Sequence, residues 1–158
     1  MSDSSVNVPE DALTYAAEVG AGTTCGAVNT DLIVGTIAAT TGYDTDYSDE
    51  SGGAGWSGLA PAAWDQYTTA DDTDRADGRA ATQAVANKLC DAYRTAAEIH
   101  DKDRKATVDD LALSVYLVGE SYTQRYGVVP DDADWDPHQV REKITRITDA
   151  ADSVRRDI

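Results

Sequence analysis

Basic residues are scarce in this chain of 158 residues, in which 13 Lys and Arg stand against 29 Asp and Glu and give a formal net charge of −16. Nucleic acids and anionic membrane surfaces are polyanions that would repel such a chain, so neither is expected as a partner. No apolar run approaches the roughly 18 residues needed to cross a bilayer. The sequence therefore predicts no membrane-spanning segment and a neutral or cationic partner.

An export signal is not visible either. The first residues, MSDSSVNVPED, contain no basic segment followed by an apolar one. As given, the chain is expected to be soluble, but a chain from which a signal had been removed would look the same. The N-terminus thus leaves open a secreted or cell-envelope location as well as a cytoplasmic one.

The residue patterns of common metal, phosphate and nucleophile sites are also missing. His100 and His138 lie on separate polar segments without a Cys or carboxylate at ligand spacing. The acidic run at residues 70–78 lacks the alternating ligands and the twelfth-position Glu of a calcium loop. No Gly-rich phosphate loop and no Ser-His-Asp order is found. We therefore expect neither a metal ion nor a cofactor.

Helical periodicity is what the chain has in abundance. Apolar residues recur at a spacing of 3.6, and no run alternates with the period of two typical of a strand. The chain is predicted to be all-α, with five to seven helices and little or no sheet. These helices cover about residues 10–19, 32–40, 61–67, 79–99, 107–122 and 136–158.

The length fits a single compact domain. We expect residues 1–127 to form the main domain, and residues 128–158 to be a linker and an amphipathic C-terminal helix that packs on it. Contact of that helix with a partner instead is the alternative.

The segment at residues 33–64 is predicted to hold the functional site. It starts as an apolar helix, passes through an acidic loop rich in glycine, and restarts a helix at Pro61. A polar loop between two helices is a common site architecture.

Two motifs in this segment resemble those of the secreted lytic transglycosylases, lysozyme-like enzymes that cut the glycan strands of peptidoglycan. The run TTGYD, residues 40–44, stands where that family has Glu-Ser-Gly-Phe-Asp. The run GWSGLAPAAW, residues 55–64, stands where it has Gly-Leu-Met-Gln-Phe-Met-Pro-x-Thr-Trp. No gap is needed between the two. Val8-Pro9, Leu89-Cys90 and Tyr116 are similar to further landmarks of the branch from high-GC Gram-positive bacteria, in the same order.

The resemblance implies a lysozyme-like helical fold and export to the cell envelope. It also implies a disulfide between Cys25 and Cys90, because both fall where the secreted branch has cysteines. Two unpaired buried thiols, as in a cytosolic protein, are the alternative.

The chemistry of the family is missing from this sequence. Its reaction needs a glutamic acid that protonates the leaving oxygen, and Thr40 stands at that position with a hydroxyl far too weakly acidic for the task. Gly58 replaces the family's Gln, and Leu117 replaces its Asn. The resemblance therefore implies a retained fold without a catalytic residue.

An active enzyme with a different acid is an alternative interpretation. Asp44, Asp46, Asp49 and Glu50 lie in the loop, and Glu120 lies on a later helix. Glu50 even begins a Glu-Ser-Gly tripeptide, but it comes after the predicted helix and is expected to sit in solvent.

Two classes of function follow from the resemblance. In the first, an inactive transglycosylase-like domain binds peptidoglycan glycan, or holds and regulates an envelope protein; in the second, the chain is a protein–protein interaction module that binds no glycan. Trp56 is expected to be exposed and to stack on sugar rings, whereas Trp64 is expected in the core. The candidate ligand-binding residues are Thr40, Thr41, Tyr43, Trp56, Gly58, Tyr116 and Leu117.

Overall fold

The structure of the chain, a computed structural model, describes residues 8–23, 25–68, 75, 77–102, 106–126 and 140–157. Within these residues it contains seven helices and no strand, which confirms the all-α class; two isolated antiparallel bridges fasten the loop before the third helix. The helices are α1 (Glu10–Gly22), α2 (Thr30–Thr40), α3 (Pro61–Tyr67), α4 (Gly78–Lys102), α5 (Val108–Val118), α6 (Glu120–Tyr126) and α7 (Val140–Asp157).

Side-chain caps set the starts of α2 and α4. The Asn29 side chain, and not the neighbouring Thr30 or Asp31, accepts a hydrogen bond from the Leu32 amide at 3.0 Å. Asn is among the best N-cap residues, so α2 begins before the predicted Leu32. At α4, Asp77 Oδ1 accepts from the amides of Arg79 and Ala80. The other three carboxylates of the acidic run 70–78 lie outside the described residues.

Glycine breaks the predicted helix 107–122 into two. Thr107 caps α5, because its hydroxyl accepts a hydrogen bond from the Asp110 amide at 3.1 Å. Gly119 then adopts a φ of 93°, which ends α5, and α6 starts at the next residue. A positive φ is open to glycine at little steric cost, so the chain can turn there.

The helix contacts fall into two compact units. The first contains the described residues up to Asn87 together with those from Ile147 onward, and the second contains the described residues from Lys88 to Arg146. Ile33 and Ile37 of α2 are fully buried, whereas Ala38 is half-buried. The second unit has its own apolar cluster, formed by Ala96, Ile99, Leu111 and Ala112 with Tyr93, Ala106, Val108 and Val115 around it.

The end of α7 packs tightly on α2 within the first unit. A β-carbon on Gly35 would lie within 3 Å of both backbone and side-chain atoms of Ala151. Near the start of α2, Asp31 Oδ2 accepts a hydrogen bond from Arg155 Nε at 3.2 Å. The linker predicted before the C-terminal helix lies outside the described residues.

Both cysteines are oxidised. Cys25 and Cys90, the two cysteines of the chain, are disulfide-bonded and neither is free, which confirms the predicted pairing. The alternative of two unpaired thiols is wrong for this structure. None of the described helices is both long and apolar enough to cross a membrane.

Candidate functional site

The hydroxyl of Thr40 is engaged by its own helix. Its Oγ1 donates to the Thr36 carbonyl oxygen at 2.8 Å, with the Ile37 carbonyl oxygen further away at 3.4 Å. Threonine often bonds back to the preceding turn in this way. At the position where the resembling family has its acid, this chain has a half-buried hydroxyl whose proton is already used.

Thr41 joins the end of α2 to the glycine-rich turn. It is 8 % exposed, and its Oγ1 lies 2.7 Å from the Trp56 carbonyl oxygen, to which it donates. Thr41 Oγ1 also accepts a hydrogen bond from the Tyr43 amide at 3.3 Å. A single buried hydroxyl thus fixes the loop on both sides, so Thr41 has a structural role in the segment.

Tyr43 is buried in a backbone conformation that L-residues rarely adopt. Its φ is 62°, and its side chain is 6 % exposed. Burial raises the pKa of the Tyr43 phenol far above its ordinary value. Within the described residues, the phenol oxygen has no hydrogen-bond partner.

Trp56 is buried rather than exposed, so the prediction of an exposed indole is wrong. It is 8 % exposed, and the Tyr43 ring meets it edge-on with 4.8 Å between centroids. The Tyr15 ring of α1 lies 6.4 Å away. At the start of α4, a β-carbon on Gly78 would lie 2.7 Å from the indole, so the absence of a side chain there lets the ring turn inward. A flat platform for a sugar ring is therefore not presented by Trp56 in this conformation.

Trp64 lies in the core as predicted. It is 3 % exposed, and its carbonyl oxygen accepts a hydrogen bond from the Thr68 hydroxyl just after α3. The proline at the first position of α3 fixes the start of this helix, and α3 directs Trp64 inward.

Gly58 occupies a position that tolerates no side chain. Its φ is 66°, and a β-carbon there would lie 2.9 Å from Thr41 Cγ2 and 3.4 Å from the Tyr47 ring. The resembling family has a Gln at this position. Here the turn depends on glycine, because a larger residue would be strained and would collide with Thr41.

Asp49 organises the acidic loop, a role that the sequence interpretation missed. Its Oδ1 accepts from the Ser51 amide and hydroxyl and from the Gly53 amide, and its Oδ2 accepts from the Tyr47 hydroxyl. The Ser51 hydroxyl, followed by the Gly53 amide, lowers the pKa of Asp49. The pattern Asp-x-Ser-x-Gly in the sequence indicates this role, because an Asp side chain commonly accepts a hydrogen bond from the backbone amide two residues later.

The other acids considered as substitutes are exposed to solvent. Asp44, Asp46 and Glu50 are exposed loop residues, and the exposed Glu120 accepts a hydrogen bond from Gln124 one turn later in α6. Within the part of the chain that the structure describes, no three His, Cys, Asp or Glu side chains come together as a metal site. His138 lies outside that part.

Tyr116 and Leu117 belong to the second unit, whereas the other five candidate residues belong to the first. Tyr116 is 6 % exposed, and the Lys88 ammonium lies 4.4 Å from its ring centroid. Burial lowers the pKa of Lys88. In the first unit, hydrogen bonds and ring contacts bring together Thr41, Tyr43 and Trp56, with Gly58 against Thr41.

Comparison of the chain with protein-family models, with curated proteins and with solved structures gives no match in any of the three. The site must therefore be interpreted from its own geometry. That geometry consists of buried hydroxyl and aromatic groups with exposed carboxylates around them, and within the described residues it places no buried acid at the end of α2.

Proposed function

We propose that this chain is a noncatalytic, lytic transglycosylase-like domain of the cell envelope that holds or regulates a partner protein. The observation that carries the proposal is the hydrogen bond from Thr40 Oγ1 to the Thr36 carbonyl oxygen. General acid catalysis needs a proton of suitable acidity directed at the substrate. Thr40 offers a weak acid that is directed at its own helix.

The buried aromatic residues favour a protein partner over glycan. Sugar binding of the expected kind requires an aromatic face in contact with solvent, but Tyr43 and Trp56 cover each other. The disulfide supports an oxidising compartment, because such bonds are rare in the cytosol. Together these observations support an exported binding domain.

Charge suggests the chemistry of the partner. The chain carries a formal charge of −16, and Asp46 and Glu50 project from the loop without ion-pair partners among the described residues. Electrostatic complementarity steers association and suppresses partners of like charge. A partner with a basic surface is therefore expected.

Glycan binding is the second candidate, and Tyr47 is the observation that favours it. Its ring is half-exposed, and its hydroxyl donates to Asp49 Oδ2 at 3.0 Å. A ring beside a carboxylate can stack on a sugar while the carboxylate accepts from sugar hydroxyls. This arrangement would use the acidic loop instead of Trp56.

The test combines three measurements on the purified chain. With peptidoglycan sacculi, we expect no release of anhydro-muropeptides and no co-sedimentation. From an envelope extract, we expect the immobilised chain to retain a discrete basic protein, with retention weakened by added salt. The variant Asp46→Asn/Glu50→Gln should retain less of it, whereas the control Glu98→Gln/Asp101→Asn, which removes the same charge from exposed positions of α4, should not.

Each other outcome contradicts the proposal. Anhydro-muropeptides would show an active enzyme. Co-sedimentation that is lost in Tyr47→Ala would establish glycan binding instead. Absence of both glycan and protein retention, or retention that responds equally to both charge variants, would mean that the acidic loop is not a binding surface.

A further inference from the structure

Two buried hydrogen-bond donors on touching rings lack an acceptor. The Tyr43 hydroxyl and the Trp56 indole Nε1 are shielded from solvent, and neither has a hydrogen-bond partner among the residues that the structure describes. The two side chains are 6 % and 8 % exposed. Nearly all buried donors in folded proteins are paired, because an unpaired donor loses its hydration without a replacement. Two exceptions side by side therefore call for a physical reason.

The backbone provides a third observation at the same place. Gly42 and Tyr43 have consecutive φ values of 66° and 62°, and the second belongs to a bulky residue. A positive φ is ordinary for Gly42, but it is uncommon for a residue as bulky as Tyr43, and such residues cluster at functional sites. Gly42 and Tyr43 follow Thr41, the C-terminal cap of α2, and the Tyr43 ring packs against Trp56.

We infer that the Tyr43–Trp56 pair is a binding site for a small, uncharged molecule that carries a hydrogen-bond acceptor on a flat, apolar body. The inference does not rest on the partner-binding function proposed above. It rests on the two unpartnered donors, the ring contact and the backbone conformation of Tyr43.

The walls of the site select this chemical class. Both free polar groups are donors, so the ligand must supply an acceptor such as an amide carbonyl oxygen. The ring contacts of Trp56 are with Tyr15 and Tyr43, which suit a flat body. No ionised group bonds either donor within the described residues, and an ion buried without a counter-charge is strongly disfavoured. The ligand is therefore neutral.

Entry requires the indole to move. Gly55 and Gly58, with φ values of 68° and 66°, flank the turn that carries Trp56. The hydrogen bond from Thr41 holds the Trp56 carbonyl oxygen and does not involve the indole. Binding therefore requires an open form, a minor conformation that a ligand makes dominant by satisfying the two donors.

Indole N–H resonances of the ¹⁵N-labelled full chain provide the test. The chain has three tryptophans, and the Trp56 signal is assigned by its loss in Trp56→Phe. Three probes share a benzene ring: benzamide carries a neutral acceptor, benzoate a charged one and toluene none. We expect benzamide alone to shift the Trp56 signal saturably.

Conservative variants separate the site from general packing. Tyr43→Phe keeps the ring and removes one donor, and it should weaken benzamide binding by roughly five- to tenfold, the equivalent of one hydrogen bond. Tyr47→Phe removes a nearby hydroxyl that is bonded to Asp49, and it should leave the affinity unchanged.

Three results would overturn the inference. The first is a Trp56 signal that does not respond to benzamide and shows only a cross peak to water, because buried water would then satisfy the donors. The second is a shift of the Trp56 signal by toluene or benzoate that is as large as the shift by benzamide. The third is a Tyr43→Phe variant that binds benzamide as tightly as the unaltered chain and whose other resonances show that it is folded.

Discussion

Gly35 lies so close to Ala151 that a β-carbon on it would be 2.6 Å from the Ala151 backbone nitrogen and 2.9 Å from its side-chain carbon. Gly35 is buried in the middle of α2, between the fully buried Val34 and Thr36. Glycine in a helix interior is intrinsically unfavourable. Its presence here is explained by the approach of α7, whose backbone occupies the space that any other residue would need.

Substitution of Gly35 by Ala should therefore destabilise the chain despite the higher helix propensity of Ala. The added methyl meets backbone atoms that cannot rotate away, and overpacking of this kind costs roughly 1–3 kcal/mol. Urea unfolding measures the change. Gly22→Ala is the control, because nothing lies within 4 Å of a β-carbon at the end of α1; it should be neutral or stabilising. Equal stability of Gly35→Ala and wild type would mean that α7 does not pack as described.

Thr41 and Thr40 should differ sharply when each is replaced by Val. Thr41→Val leaves the buried Trp56 carbonyl oxygen without its 2.7 Å donor, which should cost roughly 1–3 kcal/mol. Thr40→Val removes only a bond to the preceding turn of its own helix and should stay within roughly 0.5 kcal/mol of wild type. Thermal and urea unfolding of both variants provide the comparison. The reverse order would contradict the structural role of Thr41.

Much of the fold follows from the sequence because local signals agree with it. Pro61 predicts the start of α3, and helix 61–67 is found as expected. The break at Gly119 was not predicted, because a single Gly costs a helix only about 1 kcal/mol and the apolar periodicity continues across it. The cap at Asn29 was missed since Thr30 and Asp31 are also good cap residues, and only the backbone geometry decides among the three.

The site was less predictable, because the position of Trp56 depends on distant parts of the chain. A Trp in a glycine-rich turn carries no local sign of burial. Tyr15 and Gly78 come from α1 and from the start of α4, and no motif links them to the turn. Asp49 is the opposite case, since its bonds to Ser51 and Gly53 are local and could have been predicted from their spacing.

Reduction of the disulfide should destabilise the chain strongly. The bond between Cys25 and Cys90 closes a loop of about 65 residues, and in the chain-entropy model this stabilises the fold by roughly 4 kcal/mol. Urea unfolding with and without reductant measures the difference. Cys25→Ala/Cys90→Ala serves as the control, because its stability should not respond to reductant. Two titratable thiols in the native, never-reduced protein would contradict the disulfide.

Asp49 should titrate below the ordinary range of an Asp side chain. The Ser51 hydroxyl, then the Gly53 amide, stabilise its charged form. Because the pKa is lower in the folded than in the unfolded state, Asp49 contributes stability above the unfolded pKa and loses it as the pH falls through the folded value. The carboxyl carbon resonance of Asp49 measures the midpoint. Ser51→Ala should raise it, while Ser48→Ala, on the same exposed loop, should leave it in place.

Thr40→Glu alone should not create a peptidoglycan-cleaving enzyme. The new carboxylic acid would stand at the end of α2, but Gly58 provides no side chain to position a substrate beside it. Digestion of sacculi should therefore release no more anhydro-muropeptides than Thr40→Gln, which matches the Glu in shape without its acidity. Addition of Gly58→Gln should not increase the release. Residue 58 has a φ of 66°, and its β-carbon would lie 2.9 Å from Thr41 Cγ2. The substitution should therefore disturb the turn and lower the free energy of unfolding by roughly 1–3 kcal/mol. Substantial release by the single variant would show that the cleft of the resembling enzymes is intact in this chain and has lost only its acid.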